Sequence, residues 1–144
     1  MLEDDGLFGE ETQPEAPNGK AQPAHKRKDF SNTPPMDIEA ALVHFDGDRK
    51  FMLEMLVIFL SGLQERHSEI RNALGQNDAN KLSRLAHNLK GTCLNFGTEP
   101  LAILSAELED MGKREYMEFA STVVEQIEIE IQRFQEFASN LESV

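Results

Sequence analysis

The chain has 144 residues, a net charge of −12, 40% apolar residues and one cysteine. That length allows one domain with a tail, and the acidic balance argues against nucleic acid or an anionic membrane surface as a partner. No apolar run approaches the ~18 residues that span a bilayer, the start Met1-Leu2-Glu3-Asp4-Asp5 lacks the regions of a signal peptide, and Cys93 has no internal disulfide partner, so a cytoplasmic protein is expected.

Residues 1–35 carry five of the six prolines and hardly any periodic apolar residues. That is the composition of a disordered tail or linker. The Leu7-Phe8 pair reads as part of this tail. The basic run His25-Lys26-Arg27-Lys28 is too short, and too outweighed by acids, for a nucleic-acid site. The domain is expected over residues 36–144.

Asp37 is placed to N-cap a short helix carrying Ile38, Ala41, Leu42 and Phe45. Gly47-Asp48 breaks the chain, and Asp48 can cap a long second helix. From residue 51 to 60 that helix is apolar on nearly every side, so cover from two directions is expected, with the first helix as a lid. Its stripe then narrows to Leu63, His67, Ile70 and Leu74. His67 therefore reads as a structural histidine and His44 as a surface residue. Gly75 is expected to end this helix in the left-handed conformation, and Asn77 or Asp78 to cap the third.

The third helix stops at Gly97. Thr98 caps the fourth, with Pro100 in its first turn, a stripe of Leu101, Leu104, Leu108 and Met111, and Gly112 as its stop. The last helix is predicted over residues 114–141. There Ala120, Val124, Ile127, Ile131, Phe134, Ala138 and Leu141 alternate at spacings of four and three, a bundle seam. No strand pattern or repeat appears. The fold class is all-α: an antiparallel four-helix bundle with a short N-terminal capping helix, read as a monomer.

The third helix carries the functional signal. Apolar residues at 82, 85, 86, 89, 93 and 96 lie roughly 150° from His87 at ~100° per residue. A helix that buries Leu82, Leu85, Leu89 and Phe96 must hold His87 towards water, while Cys93 falls on the apolar side. Lys90 and Gly91, at i+3 and i+4, project back over the spot that His87 occupies. Lys90 brings an ammonium beside the imidazole, and Gly91 leaves the ring uncovered. An interior glycine costs about 1 kcal/mol relative to alanine, which suggests that clearance there is useful. Ser83 and Arg84 lie one turn earlier on the exposed side. Lys81, Arg84 and Lys90 make a basic strip facing only Asp78, complementary to an acidic partner. An exposed imidazole, a nearby cation and room for a second protein suit phosphoryl transfer through histidine.

The run His87-x-Leu89-Lys90-Gly91, then Gly97, Leu101 and Leu108-Glu109, resembles the signature of histidine-containing phosphotransfer (HPt) domains. Phe45-x-Gly47-Asp48 with Phe59-Leu60, and Asp78 with Leu82, extend the similarity over roughly residues 36–112. The resemblance implies that His87 is the phosphoacceptor, Lys90 the phosphoryl-stabilising residue and Gly91 the clearance position. Gly97 would be the glycine of the following helix turn. Gly91, Ser83, Arg84 and Leu94 would form the partner-docking surface.

The implied function is a phosphorelay intermediate. His87 would accept a phosphoryl group from a receiver-domain aspartyl-phosphate and pass it to another receiver. The partners are response-regulator receiver domains and a hybrid sensor histidine kinase. No metal site or cofactor is expected on this chain, and Mg²⁺ is expected on the partner receiver. No Walker loop, zinc-type spacing or Glu-x-x-His pair appears, so ATP-dependent kinase activity is not expected. The alternative is a non-phosphorylated helical module that sequesters a receiver domain.

Overall fold

The computed structural model describes residues 27–142. Among the described residues five helices follow one another: α1 (Ile38–His44), α2 (Arg49–Gly75), α3 (Ala79–Asn95), α4 (Glu99–Lys113) and α5 (Ala120–Glu142). Their starts are written in the sequence. Asp37, Asp48 and Asp78 each accept a backbone N–H from the first turn of α1, α2 and α3, which satisfies donors that the helix leaves open. Thr98 takes the cap position of α4 but not the expected role. Its hydroxyl donates back to the Cys93 carbonyl (3.2 Å), with Pro100 in the first turn behind it.

In the bundle, α2 packs on α3 and α5, and α4 packs on the same two helices, closing a ring. The short α1 lies across α2 and α3. The core is the predicted seam: Leu56, Leu63 and Ile70 of α2 meet Leu82 and Leu89 of α3, Leu104 and Leu108 of α4, and Ile127, Ile131 and Phe134 of α5, all buried. Phe59 stacks on Phe96 at 5.0 Å, and Phe45 packs on Phe96 at 5.3 Å. These rings fix the end of α3 against α1 and α2. His67 is buried as predicted. Its Nε2 donates to the Val124 carbonyl (3.1 Å) and its Nδ1 faces the Glu128 carboxylate (2.9 Å), tying α2 to α5. Cys93 is buried too, and loss of hydration pushes its thiol up to about 12.

Several expectations are corrected. Residues 27–35 are not free tail. Phe30 is buried, Lys28 exchanges backbone hydrogen bonds with the Gln126 side chain, and Arg133 donates to the Thr33 carbonyl. Arg27 pairs with Glu125, and Lys28 approaches Glu107. Proline-rich composition hid this segment because it gains its order from α5 rather than from local periodicity. The tail reading for residues 1–26, including Leu7-Phe8, lies outside the described residues.

The left-handed residue after α2 is Asn77 (φ 55°), not Gly75, which is the last helical residue. The final helix starts at Ala120, because Glu115 takes φ 57° and the chain turns there. Nor is the start of α2 covered from two directions: Phe51, Val57 and Ile58 remain exposed, as does Val43 of α1. The seven-residue α1 is too short to cover them.

Gly112 does not stop α4 but lies within its last turn. A Cβ there would sit 2.8 Å from the Ala79 carbonyl oxygen and 2.9 Å from the Ser83 Cβ. Only glycine lets the two helix backbones approach this closely. The contact brings the C-terminal end of α4 against the start of α3, and so sets what faces His87. At the other end of α3, Gly97 takes φ +65° and its carbonyl accepts the Asp37 N–H (2.8 Å), docking the cap of α1.

Candidate functional site

His87 projects from the outer face of α3 with its side chain 63% exposed, as the apolar stripe requires. Gly91 leaves open space: a Cβ there would meet nothing within 4 Å. Arg84 and Leu94 are exposed on the same helix. Leu94 borders a groove whose walls include Lys90, Ile103 and Ala106. Ser83 departs from expectation. It is buried under Gly112, where the close crossing of α3 and α4 covers it, so it offers a partner nothing.

The basic strip does not face only Asp78. Glu109 of α4, 7% exposed, points at the site. Its Oε2 accepts from His87 Nδ1 at 2.9 Å and from Lys113 Nζ at 3.1 Å. Its Oε1 accepts from Lys90 Nζ at 2.7 Å. The hydrogen bond from Lys90 above all, with those from Lys113 and His87, outweighs the cost of burial and lowers this carboxyl from 4.5 to about 2. It is therefore ionised near neutrality and can only accept. The hydrogen between Glu109 and His87 must then sit on Nδ1. In the neutral ring this leaves the lone pair on Nε2, the nitrogen further from the helix and open to solvent. The carboxylate fixes both ring orientation and tautomer, as a partner on the second nitrogen does for any functional histidine.

Sequence reasoning assigned Glu109 no role. One signal was available: Glu109 follows Leu108 and lies between Ser105 and Gly112 on the face of α4 turned to α3. A carboxylate among buried residues demands a partner. What periodicity could not supply was the helix crossing that makes His87 and Lys90 those partners.

Known proteins show the family and the fold of this chain. Residues 54–137, more than half of the chain, match the family described as Hpt domain. The chain belongs to the Hpt family. The fold matches histidine-containing phosphotransfer protein B from Pseudomonas aeruginosa PAO1 with a TM-score of 0.72 and 25% identity, over 77% of this chain and 96% of that one. It also matches the HPT domain of a sensor hybrid histidine kinase from Shewanella, with a TM-score of 0.67 and 24% identity, over 76% and 94% of the two chains. No curated protein sequence gives a significant match.

As an Hpt domain, the protein serves histidine phosphotransfer in two-component phosphorelay signalling. Hpt domains are phosphotransfer intermediates rather than kinases, and they work with receiver domains and hybrid kinases. Among the described residues, no helix is long and apolar enough to cross a membrane.

Proposed function

We propose that His87 is the phosphoacceptor of this Hpt domain and that Nε2 is the attacking atom. The observation that carries the reading is the 2.9 Å contact between Nδ1 and the ionised Glu109, with the rest of the ring exposed. The donor is the aspartyl-phosphate of one receiver domain and the acceptor is the aspartate of another. In the first step the Nε2 lone pair forms the N–P bond, and the acyl-phosphate O–P bond breaks with its electron pair leaving on the aspartate. Nδ1 keeps its hydrogen throughout. The ring becomes an imidazolium at that moment, and Glu109 stabilises it where the charge develops. In the second step a carboxylate oxygen of the acceptor aspartate forms a new O–P bond as the N–P bond breaks, the N–P electrons return to Nε2, and the neutral ring is restored. No proton has to move.

Lys90 anchors Glu109 and supplies positive potential beside the ring. Gly91 gives the receiver room to reach Nε2, and Arg84 and Leu94 flank its footprint. Turnover is a stoichiometric relay in the cytoplasm without ATP chemistry on this chain, and Mg²⁺ belongs to the receiver. The test is phosphotransfer from a panel of phosphorylated receivers, read by intact mass. Acid-labile addition of one phosphoryl group to the wild type, and none to His87→Gln, is the expected result. Equal addition to both would overturn the assignment. Binding without addition would favour sequestration of the receiver.

A further inference from the structure

The three donors on Glu109 are not equivalent. The Lys90 bond is short (2.7 Å), and that side chain is only 30% exposed. Lys113 makes the longer contact, 3.1 Å, from a side chain 66% exposed, and it shares Oε2 with His87 Nδ1. Exposed ion pairs are held weakly, and sheltered, short, charge-assisted bonds more firmly. Of the two ammoniums, Lys113 is the easier to release.

The charge balance points the same way. In the resting site the Glu109 carboxylate faces the ammoniums of Lys90 and Lys113 beside the His87 ring, so that among these three side chains one positive charge is in excess. Phosphorylation at Nε2 places a group carrying about −2 within this field and makes the ring cationic. The Nδ1–H of an imidazolium competes more strongly for Oε2 than that of a neutral imidazole. Its charge also repels the ammonium resting on the same oxygen. Lys113 is thereby driven off Oε2 as a phosphoryl group appears on the open side of the ring. Lys90, bound to the other oxygen, is under no such competition and continues to hold Glu109 in place.

We propose that Lys113 is a second phosphoryl-binding cation, resting on Glu109 in the unphosphorylated domain and transferring to the phosphoryl oxygens when Nε2 is phosphorylated. This rests on His87 being the acceptor. The charged groups around the phosphoryl are then Lys90 and Arg84 from α3, and Lys113 and Glu109 from α4. Asp110, next to Glu109, is paired with Arg114 (3.2 Å).

The test uses the full chain phosphorylated by phosphoramidate, a small donor that needs no receiver. The pH titration of the phosphohistidine is followed by ³¹P NMR in the wild type, Lys113→Met and Lys113→Arg. Loss of a cation that touches the phosphoryl raises its titration midpoint. Lys113→Met should raise it by about half a pH unit, with a weaker salt dependence, and Lys113→Arg should restore it. A midpoint in Lys113→Met equal to that of the wild type would overturn the proposal. A merely structural lysine would move the thermal midpoint and not this titration. Uptake of phosphate by the wild type but not by His87→Gln supports the underlying assignment. Equal uptake by the two overturns that assignment, and with it the role of Lys113, whatever the Lys113 titrations give.

Discussion

Glu109 Oε2 lies 2.9 Å from His87 Nδ1 and ties together residues 22 apart in the chain. The contact sits one helical turn from the Gly112–Ser83 crossing, so the helix approach and the histidine tautomer are parts of one arrangement. Replacing Glu109 with alanine should release the ring, so that ¹⁵N NMR shows mixed tautomers where the wild type shows hydrogen on Nδ1. Phosphotransfer should slow by about tenfold, equivalent to about 1.4 kcal/mol of barrier. A single Nδ1–H tautomer in Glu109→Ala would refute the role given to the carboxylate.

The same carboxyl has a pH signature. Its folded-state value is lowered from 4.5 to about 2, so the ionised form is favoured by folding. The stability it contributes is complete above pH 4.5 and is lost as pH falls through about 2. Denaturant melts between these values should show a smaller acid-induced loss in Glu109→Gln than in the wild type.

Two helical glycines should respond in opposite ways. Gly91→Ala meets open space and should stabilise the domain by about 0.5–1 kcal/mol. Gly91→Phe should impair transfer from a receiver while leaving urea unfolding unharmed. Gly112→Ala forces a Cβ against Ala79 and Ser83 and should destabilise by about 1–3 kcal/mol. It should also loosen the bond between His87 and Glu109. Equal melts for the two alanine variants would contradict the close crossing.

The histidines divide in the same manner. His67→Leu removes the link to Val124 and Glu128 and should cost about 1–3 kcal/mol, with transfer per folded molecule retained. His87→Gln should abolish transfer and leave the melting curve unchanged.

Phe30 tests the domain boundary. Its ring is buried against the core, so Phe30→Ala should destabilise by about 3 kcal/mol in urea unfolding. Arg27→Ala removes only an exposed ion pair and should be nearly silent. A silent Phe30→Ala would return residues 27–35 to the tail.

Much of this arrangement is legible along the chain because it is local. Aspartate caps at 37, 48 and 78 need only their own first turns, and periodicity alone turns His87 outward and buries His67 and Cys93. The sequence also places Lys90 and Gly91 beside His87, because three- and four-residue spacings are fixed by the helix itself. What it leaves open is decided between elements. Segment 27–35 owes its order to α5, and the exposed start of α2 reflects how little a seven-residue helix can cover. Ser83 is buried, and Glu109 and Lys113 enter the site, because Gly112 lets two backbones meet. A helix dictates which of its residues share a face; only packing decides what that face meets, and here it sets Glu109 and its two lysine partners beside the His87 ring.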